Sequence, residues 1–174
     1  MNPTAGPIHR RLQYENALYR AGASALVALT LAGCASTPGP STIVDTTART
    51  PELSTLNRLM AQSGLGDTLR GPGPFTVFAP SDEAFKAVPP KTLAELGNDK
   101  EMLKSVLNYH VLPGRVLAAD VTNGNAKTVN GANLGLAKAG SIVTVEDAVV
   151  VQADVAASNG VVHVIDRVLM PPKR

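Results

Sequence analysis

Asn159-Gly160-Val161-Val162-His163-Val164-Ile165-Asp166-Arg167-Val168-Leu169 begins with a tight-turn pair and continues as a run of branched aliphatics. Asn-Gly is among the strongest short hairpin signals, because both residues tolerate positive φ. From Val161 to Leu169 both faces are apolar except at His163, Asp166 and Arg167. A strand exposed on one side would alternate, so this pattern predicts a central strand covered on both sides.

Outward from that strand, the second half of the chain is rich in further β-branched runs. Strands are predicted at Arg115–Leu117, Lys127–Val129, Leu134–Ala137, Ile142–Val145 and Val149–Ala153, with a second turn signal at Asn130-Gly131. The first half of the domain reads as helical. Thr50 is an N-cap with Pro51 behind it, Leu53, Leu56, Leu59 and Met60 share one face, and Gly64 stops the helix. Phe75–Ala79 reads as a short strand ended by Pro80, and Ser81 caps a helical turn. A short helix is predicted near Leu93–Leu96, after Pro89-Pro90. The clearest helix is Asp99–His110, where Met102, Leu103, Val106, Leu107 and His110 recur at helical spacing before Pro113-Gly114. Helices first and strands later, without regular alternation, predict an α+β fold in a single domain.

The first 42 residues read differently. Ala21–Leu31 is an apolar run preceded by Arg10, Arg11 and Arg20, and it is too short for the ~20 residues of a spanning helix. That layout is a secretory signal. It ends in Leu31-Ala32-Gly33-Cys34, which resembles the bacterial lipobox, whose cysteine is acylated and becomes the first mature residue. Cys34 is the only cysteine, so no internal disulfide is possible, and a thiolate is the nucleophile that forming the thioether needs. Arg10-Arg11 is followed by Leu12-Gln13-Tyr14, a poor match to a twin-arginine signal. Residues 1–33 are therefore expected as signal peptide, 34–42 as lipidated cysteine and Pro/Gly/Ser/Thr tether, and 43–174 as the folded domain. The expected location is the cell envelope, anchored to the membrane through Cys34. Ala35, rather than Asp, after the cysteine implies the outer membrane, at its periplasmic face or the cell surface.

Composition narrows function further. The 174 residues are 44% hydrophobic and 17% charged, with 3% aromatics and no Trp, so the core must be aliphatic. Three of the 16 basic side chains and one of the 14 acidic ones lie in residues 1–33, leaving 13 of each for the mature chain. A neutral domain without a basic run has no footprint for nucleic acid. Catalytic readings lack the necessary residues. Ala156-Ala157-Ser158-Asn159-Gly160 lacks the first glycine of a nucleophile elbow and leads into a strand where an elbow needs a helix. His110 and His163 are the only histidines after Cys34, and no third ligand for zinc stands out. No glycine-rich loop with a lysine would cradle phosphate, so no metal or cofactor is expected.

Three stretches together resemble the fasciclin family. They are Gly73-Pro74-Phe75-Thr76-Val77-Phe78-Ala79-Pro80-Ser81-Asp82-Glu83-Ala84-Phe85, Asn108-Tyr109-His110-Val111-Leu112-Pro113-Gly114 and the Asn159–Leu169 stretch. The resemblance covers about Thr42 to Pro172. It implies a wedge of helices packed on a β-sheet scaffold, and a role in adhesion or extracellular interaction without catalysis. It departs at Glu146-Asp147, where many relatives carry an Asn-Gly turn. It also nominates binding residues: Tyr109 and His110 with the flanking Leu107 and Leu112, and Asp154-Val155 as an Asp-Ile-type adhesion motif. Beside that implication stands the helix face, which places His110 among apolar residues as a hydrogen-bonded core group. The same geometry puts Tyr109 at the edge of that face. An envelope or extracellular protein or glycan is the expected partner. The competing reading is a carrier or sensor for a small hydrophobic or glycan ligand held between the helices and the sheet, and an enclosed apolar cavity of a few hundred Å3 would favour it. A filled core with an exposed apolar patch would favour the interaction module.

Overall fold

Thr42 starts the first helix with a reciprocal cap. Its hydroxyl accepts from the Asp45 N–H, and the Asp45 carboxylate accepts from the Thr42 N–H. A computed structural model describes residues 41–172. Helix α1 (Ile43–Arg49) leads through a short 3₁₀ turn (Pro51–Leu53) into α2 (Ser54–Ser63) and α3 (Leu65–Arg70). Gly64 joins the last two at φ 73°, a conformation that costs a glycine little. After strand β1 (Phe75–Pro80) come α4 (Asp82–Lys86), α5 (Pro90–Asn98) and α6 (Lys100–Tyr109). The remaining strands are β2 (Val111–Pro113), β3 (Gly124–Lys127), β4 (Asn133–Ala139), β5 (Ile142–Val145), β6 (Ala148–Ala157) and β7 (Gly160–Ile165). The α+β expectation holds, with the helices in the first half and all strands but β1 in the second. The expected signal segment and Cys34 lie outside the described residues. Ser41 and Thr42, at the end of the expected tether, are already tied to the domain: the Ser158 N–H donates to the Ser41 carbonyl.

Seven strands form one sheet in the order β2-β1-β7-β6-β5-β4-β3. Its centre is the parallel pair β1–β7, in register from Phe75 opposite Gly160 to Pro80 opposite Ile165. Both faces of this pair are buried, as the apolar run in β7, interrupted only at His163, predicts. Val77, Ala79, Val162 and Val164 point to a core shared with Leu53, Leu56, Leu59, Leu103 and Leu107 of the helices. Phe78 and Ile165 point the other way, into a second core with Leu134, Val143, Val145 and Leu169. Alternation along two adjacent strands thus links a helix-covered layer to the interior of a curled sheet. The curl brings the sheet's two ends together: the N–H of Val129, beyond β3, donates to the Val111 carbonyl of β2 at 2.8 Å.

Three local expectations are corrected. Arg115–Leu117 is not a strand; Val111–Pro113 is. Gly114 turns the chain at φ 100°, and the buried Thr76 hydroxyl then holds both the Gly114 carbonyl and the Val116 N–H. The strand placed at Lys127–Val129 runs instead over Gly124–Lys127, because Val129 is committed to β2. Ala157 pairs with Gly160, so Ser158-Asn159 makes the hairpin turn and Gly160 is a strand residue. A Cβ on Gly160 would lie 2.0 Å from the Phe75 carbonyl oxygen. Here glycine permits close strand approach rather than a positive φ. The Glu146-Asp147 departure leaves a two-residue hairpin intact, with Val145 opposite Ala148 and Glu146 at φ 53°.

Candidate functional site

Asp99 caps α6 by accepting from the Glu101 and Met102 N–H groups, and the helix runs ten residues to Tyr109 with His110 as its C-cap. The His110 side chain is 2% exposed. Its Nδ1 lies 2.8 Å from the Val106 carbonyl, and its Nε2 lies 3.0 Å from the Leu169 nitrogen. One partner accepts and the other donates, so Nδ1 carries the proton and Nε2 accepts. Burial pushes the imidazole pKa down to about 4, against the opposing pull of the Val106 carbonyl. The ring is a neutral bridge from α6 to the C-terminal segment.

Tyr109 does not sit at an edge. It is 3% exposed, and its ring packs in the second core. Its hydroxyl lies 3.0 Å from the Asn133 carbonyl and 3.2 Å from Glu146 Oε1. The same Oε1 accepts from the Gly135 N–H at 2.7 Å, which ties Glu146 to its unusual backbone position. Burial, with the neighbouring carboxylate, raises the phenol pKa to about 12. Leu107 and Leu112 are buried as well, one in each core.

Asp154 is exposed and Val155 half-buried, at the bulge where β6 slips against β7. Asp154 adopts φ 58°, and its carboxylate accepts from the Ala118 N–H at 2.8 Å. Its own N–H donates to His163 Nδ1, while His163 Nε2 donates to the Val116 carbonyl. The second histidine is therefore also sealed, 2% exposed and stacked on Phe78 at 5.6 Å. Of the six nominated binding residues, only Asp154 is open to solvent, and the structure does not gather the six into one site. Among the described residues no group of His, Cys, Asp or Glu is arranged to hold a metal.

The concave feature lies elsewhere, where the sequence carries no motif. A groove of about 510 Å3 opens between α5, α6, the turn before β4 and the C-terminal segment. Met102 and Val106 come from α6, while Met170, Pro171 and Pro172 form the opposite wall. Thr92 and Glu95 of α5 stand on the rim with Ser105 and Asn130. A shallower depression of about 400 Å3 continues from Met170 and Pro172 past Tyr109 to Glu146 and Asp147. Five separate segments build this trough. Its one sequence signal is the half-buried Met102, on the rim of a helix face whose other members are buried.

Helices packed on a curled sheet, with His110 and His163 built into the packing, define an α+β domain. The fasciclin-domain family model matches residues 51–171, and the chain belongs to that family. Protein sll1483 of Synechocystis sp. is 41% identical over 140 residues, spanning 79% of this chain and 78% of its own. The cell surface glycolipoprotein MPB83 of Mycobacterium bovis is 36% identical over 147 residues, spanning 82% and 64%. The structure of a domain pair from the insect cell adhesion molecule Fasciclin I superposes with a TM-score of 0.58 at 27% identity. That likeness covers 70% of this chain and 46% of the insect one.

Proposed function

We propose that the protein is a lipid-anchored, extracytoplasmic interaction module that binds an envelope or matrix partner and performs no chemistry. One observation carries the reading. The apolar groove beside α6 is open to solvent, while His110 and His163 are consumed by internal hydrogen bonds. A carrier would enclose most of its ligand, whereas an open apolar groove suits a macromolecular partner. The relatives support the general kind, one being named a cell surface glycolipoprotein and another a cell adhesion molecule. Attachment to the membrane is proposed through Cys34, at the end of the lipobox-like Leu31-Ala32-Gly33-Cys34.

Affinity capture from envelope extract with the acylated protein tests this reading. Saturable retention of a defined protein or glycan supports it. A small hydrophobic molecule co-purifying in stoichiometric amount, with no macromolecule retained, overturns it in favour of a carrier.

A further inference from the structure

We propose that the trough between α5, α6 and the C-terminal segment is a peptide site, taking an extended apolar segment flanked by Lys or Arg. This rests on the interaction-module reading above and names where and what the module binds.

The floor is apolar and adaptable. Met102 and Met170 face it with unbranched thioethers, which fit irregular surfaces, and Val106 and Ala132 lie between them. Pro171 and Pro172 make a wall whose φ angles are already fixed, so the wall loses little freedom when something lies against it. Ser105, Asn130 and Asn133 bring hydroxyl and amide groups to the margin, the donors and acceptors an extended main chain needs.

Among the described residues the charged groups that line the trough are acidic, with Arg167 beside them in contact with Asp147. Glu95 stands at one end, Glu146 and Asp147 at the other, and among the described residues no Lys or Arg lines either depression. Glu146 is held by two hydrogen bonds to Oε1 from Tyr109 and Gly135. Those bonds orient its carboxylate, and among the described residues no donor engages Oε2, which faces an incoming cation. Asp147 is paired with Arg167 in an exposed contact of 3.1 Å, weak enough for an incoming cation to compete for it. Apolar in the middle and acidic at both ends, the trough complements a segment that is apolar in the middle and basic at both ends. An uncharged lipid or glycan would leave that pattern unused, and the open side would leave it half exposed.

The test uses the full domain and synthetic peptides read by fluorescence anisotropy. One peptide carries a Val/Leu run flanked by lysines, a second has the lysines replaced by glutamates, and a third has the apolar run replaced by Ser/Gly. The lysine peptide should bind, more weakly as salt rises, and the other two should not. Glu95→Lys should weaken it about three- to tenfold and allow the glutamate peptide to bind. Met170→Asp, at an exposed position, should abolish binding, while Val151→Asp, outside the trough, should leave it unchanged. Equal binding of lysine and glutamate peptides, or binding indifferent to both Glu95→Lys and Met170→Asp, overturns the proposal. If those two variants still capture the envelope partner at wild-type strength, the trough is not the site, yet the interaction-module reading survives. Loss of capture by every variant and by wild type would instead remove that reading.

Discussion

The N–H of Leu169 donates to Nε2 of His110 at 3.0 Å, across 59 positions of sequence. Through this bond and the one to Val106, the imidazole fastens the segment after β7 to the end of α6. His110→Ala would leave the buried Leu169 N–H and Val106 carbonyl unpaired beside a void. The expected cost is about 2–4 kcal/mol, read as a Tm lower by roughly 10 °C. Partner capture by the fraction that remains folded should be unchanged. A variant that melts like wild type but loses capture would make His110 a contact residue.

The same histidine sets a pH window. Its pKa falls from 6.5 in the unfolded chain to about 4 in the fold, so the unfolded state binds the extra proton first. The stability it contributes is fully present above 6.5 and is lost as pH falls from 6.5 towards 4. The loss is on the order of 3 kcal/mol over that interval. Denaturant midpoints measured between pH 7 and 4 should decline, and His110→Gln should flatten the slope. An unchanged slope in that variant would assign the acid sensitivity to other groups.

Tyr109 and Glu146 behave as a latch between α6 and the β5–β6 hairpin. Tyr109→Phe removes the hydroxyl but keeps the ring packed, so about 1 kcal/mol of stability is expected to go. In the wild type, phenolate formation near pH 12 should be visible by ultraviolet titration. Because the folded pKa is raised, the latch is intact below the unfolded value near 10 and weakens as pH rises from there to about 12. A Tyr109 that titrates near the ordinary phenol value of about 10 would show that its hydroxyl is not engaged.

Much of this was readable from periodicity. The two-sided burial of β7 follows from an apolar run that does not alternate, and the α2 face from Leu53 to Met60 and the apolar stripe of α6 follow from burial repeated every three to four residues. Helix α1 was missed although Thr42 and Asp45 form a capping pair, since the helix is short and lies next to a Pro/Gly/Ser/Thr tether. Arg115–Leu117 misled because a β-branched run says nothing of a turn imposed by Gly114 and a side chain from β1. The trough was invisible for a different reason. Its walls come from residues near 95, 105, 130 and 171, which share neither period nor motif.

Anchoring has its own test. If Cys34 carries the lipid, Cys34→Ala should abolish palmitate labelling and move the protein from the membrane to the soluble envelope fraction. The domain should remain folded, because the described fold begins after that residue. A Cys34→Ala protein that still labels and still pellets with membranes would end the lipoprotein reading.

Asn159 and Gly160 divide the remaining work at the hairpin between β6 and β7, and the division predicts two unlike failures. The Asn159 amide accepts from the Ile43 N–H at 2.9 Å and donates to the carbonyls of Leu69 and Gly71 at 2.6 and 3.0 Å. It therefore stitches α1 and the end of α3 to the sheet. Asn159→Asp keeps the shape but replaces the donor by an oxygen facing two carbonyls. The expected cost is about 2–3 kcal/mol, and it should grow as pH rises through the carboxylate range. Gly160→Ala fails by collision. Its Cβ would meet the Phe75 carbonyl oxygen at 2.0 Å and the Ile43 side chain at 2.8 Å, and the backbone of the central strand pair cannot move aside cheaply. That variant should lose more than Asn159→Asp and show no pH dependence of the loss. Denaturant unfolding of both at two pH values separates them. A Gly160→Ala protein as stable as wild type would mean that β1 and β7 are not packed this closely.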